Sequence, residues 1–383
     1  MPRPPTICEA VNAMPGAVFS RIAHKVAALD PADVFPLHVG DTWMEPMVGA
    51  RMEDLKVADH PGMHRYTSPQ GHKALVAAAL EKVNEVNRLP IEPGGVLVTA
   101  GATGGLGAAM GMLADPGEEV IILAPFWPLI RGIVQSSKAV AVEADFFPLI
   151  DDPDAAIQAV LDCVTERTVA LYVSTPSNPT GRVIPEALLV RLAELARAHN
   201  LWLLSDEIYE QYAYIGEHVS IGRFAPERTF TAFSFSKAYG MTGNRTGYLV
   251  GPADAIAQCR KVSTHTFYSA PTAGQLAGLS ALRDGQPWVD NAYALYRGAG
   301  EVMADILGVA RPEGSTFLFL DVAHKLGDGD IWRFLEDCLE DGLVLAPGPA
   351  FGRAYSTYVR ICFTSAPPER TAEAARRLAV RLR

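Results

Sequence analysis

The chain has 383 residues, of which 49% are hydrophobic and 20% are charged, and its formal net charge at pH 7 is -10. This composition is ordinary for a globular enzyme and excludes disordered, collagen-like and fibrous proteins. Because the balance is acidic and no run of lysine or arginine occurs, the sequence favours neither nucleic acid nor an anionic membrane as a partner.

The cysteine and histidine patterns give no sign of a metal site. The 5 cysteines are scattered, without the paired spacing of zinc ligands. His60 and His64 are separated by Pro61 and Gly62, so they cannot share a regular helix face, and we expect loop residues there. The N-terminal sequence lacks the pattern of a signal peptide and no apolar run reaches membrane-spanning length, so we predict a cytoplasmic protein.

The predicted elements up to residue 285 have the rhythm of a mostly parallel sheet flanked by helices. Val34–Val39 is predicted as a lone strand, with no neighbouring strand nearby in the sequence. The clearest helix is Pro185–His199, which has proline at its start, leucines at helical spacing and Asn200 after its end. Seven further strands are predicted: Gly95–Ala100, Val120–Ala124, Ala139–Glu143, Val169–Ser174, Leu201–Ser205, Phe230–Phe235 and Thr246–Val250.

After about residue 285 the pattern changes. A long helix is followed by predicted strand Thr316–Val322, helix Asp330–Glu340, strands Leu343–Ala346 and Thr357–Phe363, and a final helix rich in alanine and arginine. We therefore predict an α/β fold with a large domain, residues 46–285, around a mostly parallel seven-stranded sheet. A smaller α+β domain is expected from residues 1–45 and 286–383, with a ligand cleft between the two.

Glycines follow the first of the seven strands, in the segment Ala100-Gly-Ala-Thr-Gly-Gly. A strand that passes through glycines into a helix directs free backbone amides at one point, which suits a phosphate group. An ordinary tight turn explains the same glycines. Their spacing is not GxGxxG and no acidic residue ends a second strand, so a dinucleotide fold is disfavoured.

Polar residues follow three later strands. Asn178 lies in turn-forming sequence, and a plain turn is the simpler interpretation of that segment alone. Asp206 ends an apolar strand and Tyr209 follows three residues later, which favours a functional carboxylate over a solvated one. Lys237 lies in small, polar sequence after another strand, where a surface cation and a Schiff-base amine are equally good interpretations.

Taken together and in this order, these motifs resemble the fold-type I pyridoxal-phosphate enzymes, specifically the class I/II aminotransferases of the aspartate aminotransferase superfamily. The matching motifs are Ser177-Asn-Pro-Thr-Gly, Ser205-Asp-Glu-Ile-Tyr and Ser234-Phe-Ser-Lys-Ala-Tyr-Gly-Met-Thr-Gly-Asn-Arg. Further similarities are Arg65-Tyr-Thr-Ser-Pro-Gln-Gly, Val120-Ile-Ile-Leu-Ala-Pro-Phe-Trp, Ala346-Pro-Gly-Pro-Ala-Phe-Gly and Tyr358-Val-Arg-Ile-Cys-Phe. The resemblance thus spans nearly the whole chain.

The resemblance implies pyridoxal 5'-phosphate as the cofactor and a catalytic group of Lys237, Asp206 and Tyr209. Lys237 would form the Schiff base and then transfer the proton at the substrate's α-carbon. Asp206 would pair with the pyridine nitrogen, so that the ring withdraws electrons. Asn178 and Tyr209 would donate hydrogen bonds to the ring's phenolic oxygen, and Trp127 would stack on the ring.

The same resemblance assigns the phosphate and the substrate. The phosphate would be held by Gly101, Ala102, Thr103, Ser234 and Arg245. Arg360 would bind the substrate α-carboxylate as a bidentate pair, near Asn178 and with help from the Gly40 backbone. Trp43 would lie near the substrate, and Tyr66 would reach the cofactor phosphate of a neighbouring subunit. The enzyme would therefore be a homodimer.

Three positions depart from the family pattern. Gly104 and Gly105 stand where helix-forming residues are usual, so a looser first turn is expected. Asn244 stands where many relatives carry tryptophan. Gly40 is not followed by the common proline, and a different loop shape over the substrate is expected.

The residues expected near the substrate side chain are mainly aromatic and include no lysine or arginine: Trp43, Trp127, His265, Phe267 and Tyr268. An apolar or aromatic amino acid, with a 2-oxo acid as its acceptor, is therefore favoured over aspartate, unless a buried basic residue from elsewhere in the dimer pairs with a second carboxylate. A carbon-sulfur β-lyase or another pyridoxal-phosphate lyase or synthase would use the same Lys, Asp and Arg set. A non-catalytic cofactor-sensing domain and a nicotinamide-dependent dehydrogenase are the remaining alternatives.

Overall fold

The computed structural model describes residues 4–16, 18 and 21–383. Its strands are Val96–Thr99 (β1), Glu119–Ala124 (β2), Val140–Asp145 (β3), Thr168–Ser174 (β4), Trp202–Asp206 (β5), Thr229–Ser234 (β6), Gly247–Val250 (β7), Phe317–Asp321 (β8), Ala346–Pro347 (β9) and Tyr358–Cys362 (β10).

The α-helices of the described residues are Glu9–Asn12 (α1), Ala23–Val26 (α2), Lys73–Glu85 (α3), Gly101–Leu113 (α4), Leu129–Ser136 (α5), Pro153–Leu161 (α6), Glu186–Ala198 (α7), Phe235–Ala238 (α8), Ala253–Thr266 (α9), Thr272–Asp284 (α10), Gln286–Leu307 (α11), Ala323–Leu326 (α12), Ile331–Glu340 (α13) and Pro368–Arg381 (α14). Short 3-10 turns lie at Met52–Asp54, Phe147–Leu149, Glu210–Tyr212, Ile221–Arg223, Pro226–Arg228, Thr242–Asn244 and Gly348–Phe351. No helix among the described residues is long and apolar enough to span a membrane.

The first seven strands form one sheet in the order β1-β7-β6-β5-β4-β2-β3. Strands β3, β2, β4, β5 and β6 pair in parallel, whereas β7 runs antiparallel to both β6 and β1. The predicted mostly parallel seven-stranded sheet is confirmed, and each of the seven strands predicted for it overlaps an observed one. Helices cover both faces, because Ile122 of β2 packs with α4 while its neighbour Ile121 packs with α7. Strands buried on both faces read as continuous apolar runs, which is why the sequence revealed them.

A second, three-stranded antiparallel sheet has the order β8-β10-β9. Its apolar cluster joins Phe35 and Leu37 near the N-terminus to residues of α11, α13 and α14 and to tyrosines of the segment after β5. The division into domains 46–285 and 1–45 with 286–383 remains a prediction.

Two strand predictions beside this second sheet were wrong. Val34–Val39 does not form a strand: Phe35 makes one isolated parallel bridge to Leu343. The next donor along that edge, the Leu37 N–H, bonds back to the Phe35 backbone oxygen at 2.9 Å in a tight turn around Pro36, so the ladder does not continue. The predicted strand Leu343–Ala346 is likewise reduced to this bridge and to β9, which starts at Ala346. Phe35 and Leu37 are nevertheless buried, since their apolar side chains pack without the ladder.

Candidate active site

A cavity of about 370 Å³ opens at the carboxyl ends of β4, β5 and β6. Most of the predicted site residues line it: Gly40, Ala102, Thr103, Trp127, Asn178, Asp206, Tyr209, Ser234, Lys237, Arg245 and Arg360. The parallel strands end at the same edge of the sheet, so residues far apart in sequence converge there. Arg360 reaches the cavity from the second sheet, in β10.

Asp206 ends β5 and is 2% exposed. Its Oδ2 accepts a hydrogen bond of 2.7 Å from the Tyr172 hydroxyl. Its Oδ1 makes no hydrogen bond to any described residue. Burial raises the pKa of this carboxyl to about 6, although the Tyr172 hydroxyl and the Ile208 amide lower it. A buried carboxylate oxygen without a partner is costly, so it marks a place for a hydrogen-bond donor in the cavity.

Lys237 lies in the short helix α8, which follows β6 directly. Its Nζ donates a hydrogen bond to the backbone oxygen of Gly40. Burial lowers the pKa of Lys237 because the charged ammonium is poorly solvated there, while the Asp41 carboxylate opposes this effect. A larger share of unprotonated amine makes Lys237 a better nucleophile than a surface lysine.

The Arg360 guanidinium is held on two sides and is 7% exposed. Its Nη1 donates to Asn178 Oδ1 at 2.9 Å, and its Nη2 donates to the His38 backbone oxygen at 2.7 Å. The guanidinium carbon lies 4.2 Å from the Phe317 ring centre and 4.9 Å from that of Phe351. Burial lowers the pKa of Arg360 to about 10, so it remains a cation at pH 7. A cation fixed in this way suits a planar carboxylate.

The start of α4 forms the opposite end of the cavity. Gly101, the first residue of α4, has φ of +69°, and a Cβ built there would lie 2.8 Å from Arg245 Nη2. Arg245 Nη1 donates to the Thr242 backbone oxygen at 2.9 Å. Ala102, Thr103 and the Ser234 hydroxyl complete this end. Free amides of a helix start, a guanidinium and hydroxyl groups together suit a phosphate.

The residues present fit pyridoxal phosphate at each of its functional groups. The orphaned Oδ1 of Asp206 suits a ring N–H, the Lys237 amine suits an aldehyde, and the cradle of Gly101 and Arg245 suits a phosphate. When bound, the cofactor supplies an aldehyde that takes up amino groups and a ring that withdraws electrons from the carbon attached to them. The fold and this cavity are therefore those of a pyridoxal-phosphate-dependent enzyme.

Comparisons with known proteins agree with this class. The model of the family "Aminotransferase class I and II" matches residues 32–378. The aspartate/prephenate aminotransferase of Thermus thermophilus is 36% identical over 311 residues, which cover 78% of this chain and 79% of that protein. An arginine–pyruvate transaminase of Pseudomonas aeruginosa is 31% identical over 364 residues, 91% of this chain and 90% of that protein.

Solved structures show the same similarity. A double mutant of Thermus thermophilus aspartate aminotransferase superposes with a TM-score of 0.90 at 32% identity, covering 98% of this chain and 100% of that one. The complex of that enzyme with maleate gives a TM-score of 0.89 at the same identity and coverage. The chain belongs to the class I and II aminotransferase family and is a pyridoxal-phosphate-dependent transaminase.

Several predicted residues do not line the cavity of the single chain. Trp43 is 39% exposed, and Tyr66 is 87% exposed and packs on Tyr268 with ring centres 4.9 Å apart. His265, Phe267 and Tyr268 also lie outside the cavity lining. Gly101 is not a lining residue either, although Ala102 and Thr103, which follow it in α4, are. Sequence reasoning missed Val39, Phe317 and Phe351 on the apolar wall, because an apolar side chain gives no sign of whether it lines a cavity or a core.

Two departures from the family pattern have structural counterparts. Gly105 lies inside α4, and a Cβ there would lie 3.2 Å from Thr99 Oγ1 and 3.3 Å from Leu249 Cβ. The glycine therefore allows α4 to pack closely on the sheet. Asn244 is buried, and its side-chain amide donates to the Ala50 backbone oxygen at 3.3 Å.

Proposed function

We propose that this transaminase moves an α-amino group from an apolar or aromatic amino acid to a 2-oxo acid, with Lys237 as the residue that carries the cofactor. One observation carries the substrate preference. The basic side chains among the described lining residues are His38, Lys237, Arg245 and Arg360. The last three are assigned to the cofactor amine, the phosphate and the α-carboxylate, so among this chain's described lining residues only His38 is left for a second carboxylate.

His38 does not supply that missing cation. Burial and the nearby Arg360 guanidinium lower the pKa of the His38 ring to about 4, so the ring is neutral at pH 7. The remaining wall is apolar, with Val39, Phe317 and Phe351. A charged side chain placed against such a wall would lose hydration without gaining a partner.

Four side chains of the cavity have separate roles in the proposed reaction. Arg360 binds the α-carboxylate and, through its hydrogen bond to Asn178, fixes the position of that amide. Lys237 Nζ, with its lowered pKa, would take the proton from the substrate α-carbon and pass it to the cofactor carbon that carries the aldehyde in the free cofactor. Asp206 Oδ1 holds the proton on the ring nitrogen. Tyr209 is buried at the same strand end, and its raised pKa keeps its hydroxyl protonated as a hydrogen-bond donor.

We further propose that the enzyme is a homodimer in which Tyr66 reaches the phosphate end of the neighbouring subunit's cavity. The exposed pair of Tyr66 and Tyr268 supports this, because a pair of large rings on a monomer surface is typical of a protein contact.

A cytoplasmic location is supported by the free cysteines Cys8, Cys163, Cys259, Cys338 and Cys362.

Donor profiling of the purified holoenzyme tests the proposed substrate class. Single amino acids are added without an acceptor, and loss of the cofactor's visible absorbance is followed against concentration. We expect phenylalanine, leucine or methionine to react at lower concentrations than aspartate or arginine. A ranking with aspartate far ahead refutes the proposed preference, and release of pyruvate and ammonia from added cysteine would instead indicate a carbon-sulfur β-lyase. The Lys237→Ala variant is the control, and it should show no absorbance that borohydride removes.

A further inference from the structure

Tyr172 is a buried tyrosine in β4, and its neighbours between Thr168 and Ser174 are apolar. It is 1% exposed, and its hydroxyl donates to Asp206 Oδ2 at 2.7 Å. In the sheet, Ser174 pairs with Asp206 and Tyr172 pairs with Leu204. Tyr172 thus lies one diagonal step from Asp206 on the same face, within reach of a long side chain. None of the family motifs recognised in the sequence includes this tyrosine.

We propose that Tyr172 is a positioning residue: by holding Oδ2 it fixes the orientation of the Asp206 carboxylate and leaves Oδ1 for the ring nitrogen of the cofactor. This inference rests on the proposed role of Asp206. A carboxylate with one terminal torsion is free to rotate unless a neighbour holds it. The hydroxyl of Tyr172 holds one oxygen, while the other has no partner among the described residues. The difference between the two oxygens of Asp206 is therefore set by the protein itself, without a ligand.

The electrostatic surroundings make the same hydrogen bond important for the charge of Asp206. The pKa of Asp206 is raised to about 6, mainly by burial and to a smaller extent by the nearby Glu207 carboxylate. Two hydrogen bonds lower the pKa of Asp206, and the one from the Tyr172 hydroxyl has a larger effect than the one from the Ile208 amide. The pKa of Tyr172 is itself raised well above its usual value by burial and by Asp206, so its hydroxyl stays a donor. Tyr209, also facing this carboxyl, is kept protonated by burial.

The consequence is a specific pH dependence. Without the Tyr172 hydroxyl, the pKa of Asp206 rises further, so the carboxyl takes up a proton at a higher pH. A protonated Asp206 cannot hold the proton on the ring nitrogen as a charged partner. Cofactor retention should then fail at a higher pH than in the parent protein, while the phosphate end of the cavity is unchanged.

The test is the release of cofactor from the purified Tyr172→Phe holoenzyme, followed by visible absorbance during dialysis at a series of pH values. Losing a hydrogen bond to a charged group should speed release about ten- to a hundredfold near neutral pH. The pH at which half of the cofactor is retained should move upward by about 1 unit. The matched control is Tyr214→Phe, another buried tyrosine, whose hydroxyl donates to the Ser315 backbone oxygen at 2.7 Å and lies outside the cavity lining.

A double variant separates positioning from general damage to the fold. In an Asp206→Asn background, Tyr172→Phe should have little additional effect on release, because the two residues act through one hydrogen bond. Equal effects of Tyr172→Phe with and without Asp206, or a pH profile that matches the parent and the Tyr214→Phe control, would overturn the inference. If the parent protein binds no cofactor at all, the proposed function fails instead, so the two failures are distinct.

Discussion

Replacing Arg360 by alanine should weaken the binding of amino acids without removing the cofactor. The guanidinium carries five N–H donors, of which the bonds to Asn178 and to the His38 backbone oxygen use two. Three N–H groups remain, and one of these, on Nε, has no partner among the described residues. The arginine is therefore already fixed by the protein and has donors left for both oxygens of an α-carboxylate.

The size of the effect follows from those remaining donors. Each hydrogen bond to a charged group contributes roughly 1.5–3 kcal/mol, so two of them contribute about 3–6 kcal/mol. Every 1.4 kcal/mol is about tenfold in affinity, which gives a loss of at least about a hundredfold. Arg360→Lys keeps the charge but not the planar fork, and it should fall between the parent and Arg360→Ala.

The assay is the amino-acid concentration that gives half-maximal loss of visible absorbance in the absence of an acceptor. A primary amine without a carboxylate serves as the second ligand, because its reaction should be nearly equal in parent and variant. Arg370→Lys is the matched control: this arginine also packs on an aromatic ring, that of Phe35, but lies outside the cavity lining. Half-maximal concentrations that agree within about twofold in parent and Arg360→Ala would refute the assignment of Arg360.

Three further expectations can be tested. In the cofactor-free protein, the carboxyl of Asp206 has its pKa raised from 3.8 to about 6, so its contribution to stability is full below pH 3.8 and is lost as the pH rises through 6. Asp206→Asn should therefore be more stable than the parent by up to about 3 kcal/mol in denaturant unfolding at pH 8, and a gap that does not close towards pH 3.5 would contradict this. Gly101→Ala should weaken cofactor binding, because φ of +69° costs a side chain about 1–2 kcal/mol and the methyl group crowds a guanidinium, whereas Gly107→Ala, with nothing within 4 Å of the added carbon, should bind normally by titration. Mixing Tyr66→Phe with Lys237→Ala subunits should restore one site with normal cofactor retention per dimer; retention no better than that of the separate variants would exclude a shared site.

The strand-end chemistry was predictable from the sequence because it is local. Asp206, Asn178 and Lys237 each follow an apolar strand by a few residues, and parallel strands must end at one edge. The predicted strands of the large sheet were recognisable because burial on both faces demands an unbroken apolar run. The strand predicted at Val34–Val39 was wrong because an apolar pattern does not show that the Leu37 N–H turns back to the Phe35 backbone oxygen.

The wall of the cavity was less predictable. Phe317 is an ordinary apolar residue in the sequence, and the pairing of β8 with β10 places it beside Arg360. Phe351 lies in a recognised motif, but only the fold shows that its ring packs on the same guanidinium. Trp43 and Phe267 were expected near the substrate from their aromatic character, yet neither lines the cavity. Residue type predicts burial, whereas the direction of a side chain depends on the backbone that carries it.

The sequence by itself predicted the class of fold, the order of the strands around the cavity and the lysine, aspartate and arginines that line it, since each of these residues lies in a short segment with its own spacing. Tertiary structure decided which of those groups meet: the Arg360 bond to Asn178, the Tyr172 bond to Asp206 and the absence of a further cation on the described cavity wall. These contacts join residues that are distant along the chain or lie on different strands. Their geometry is fixed by sheet register and by the packing of one sheet on the other, which no local pattern records.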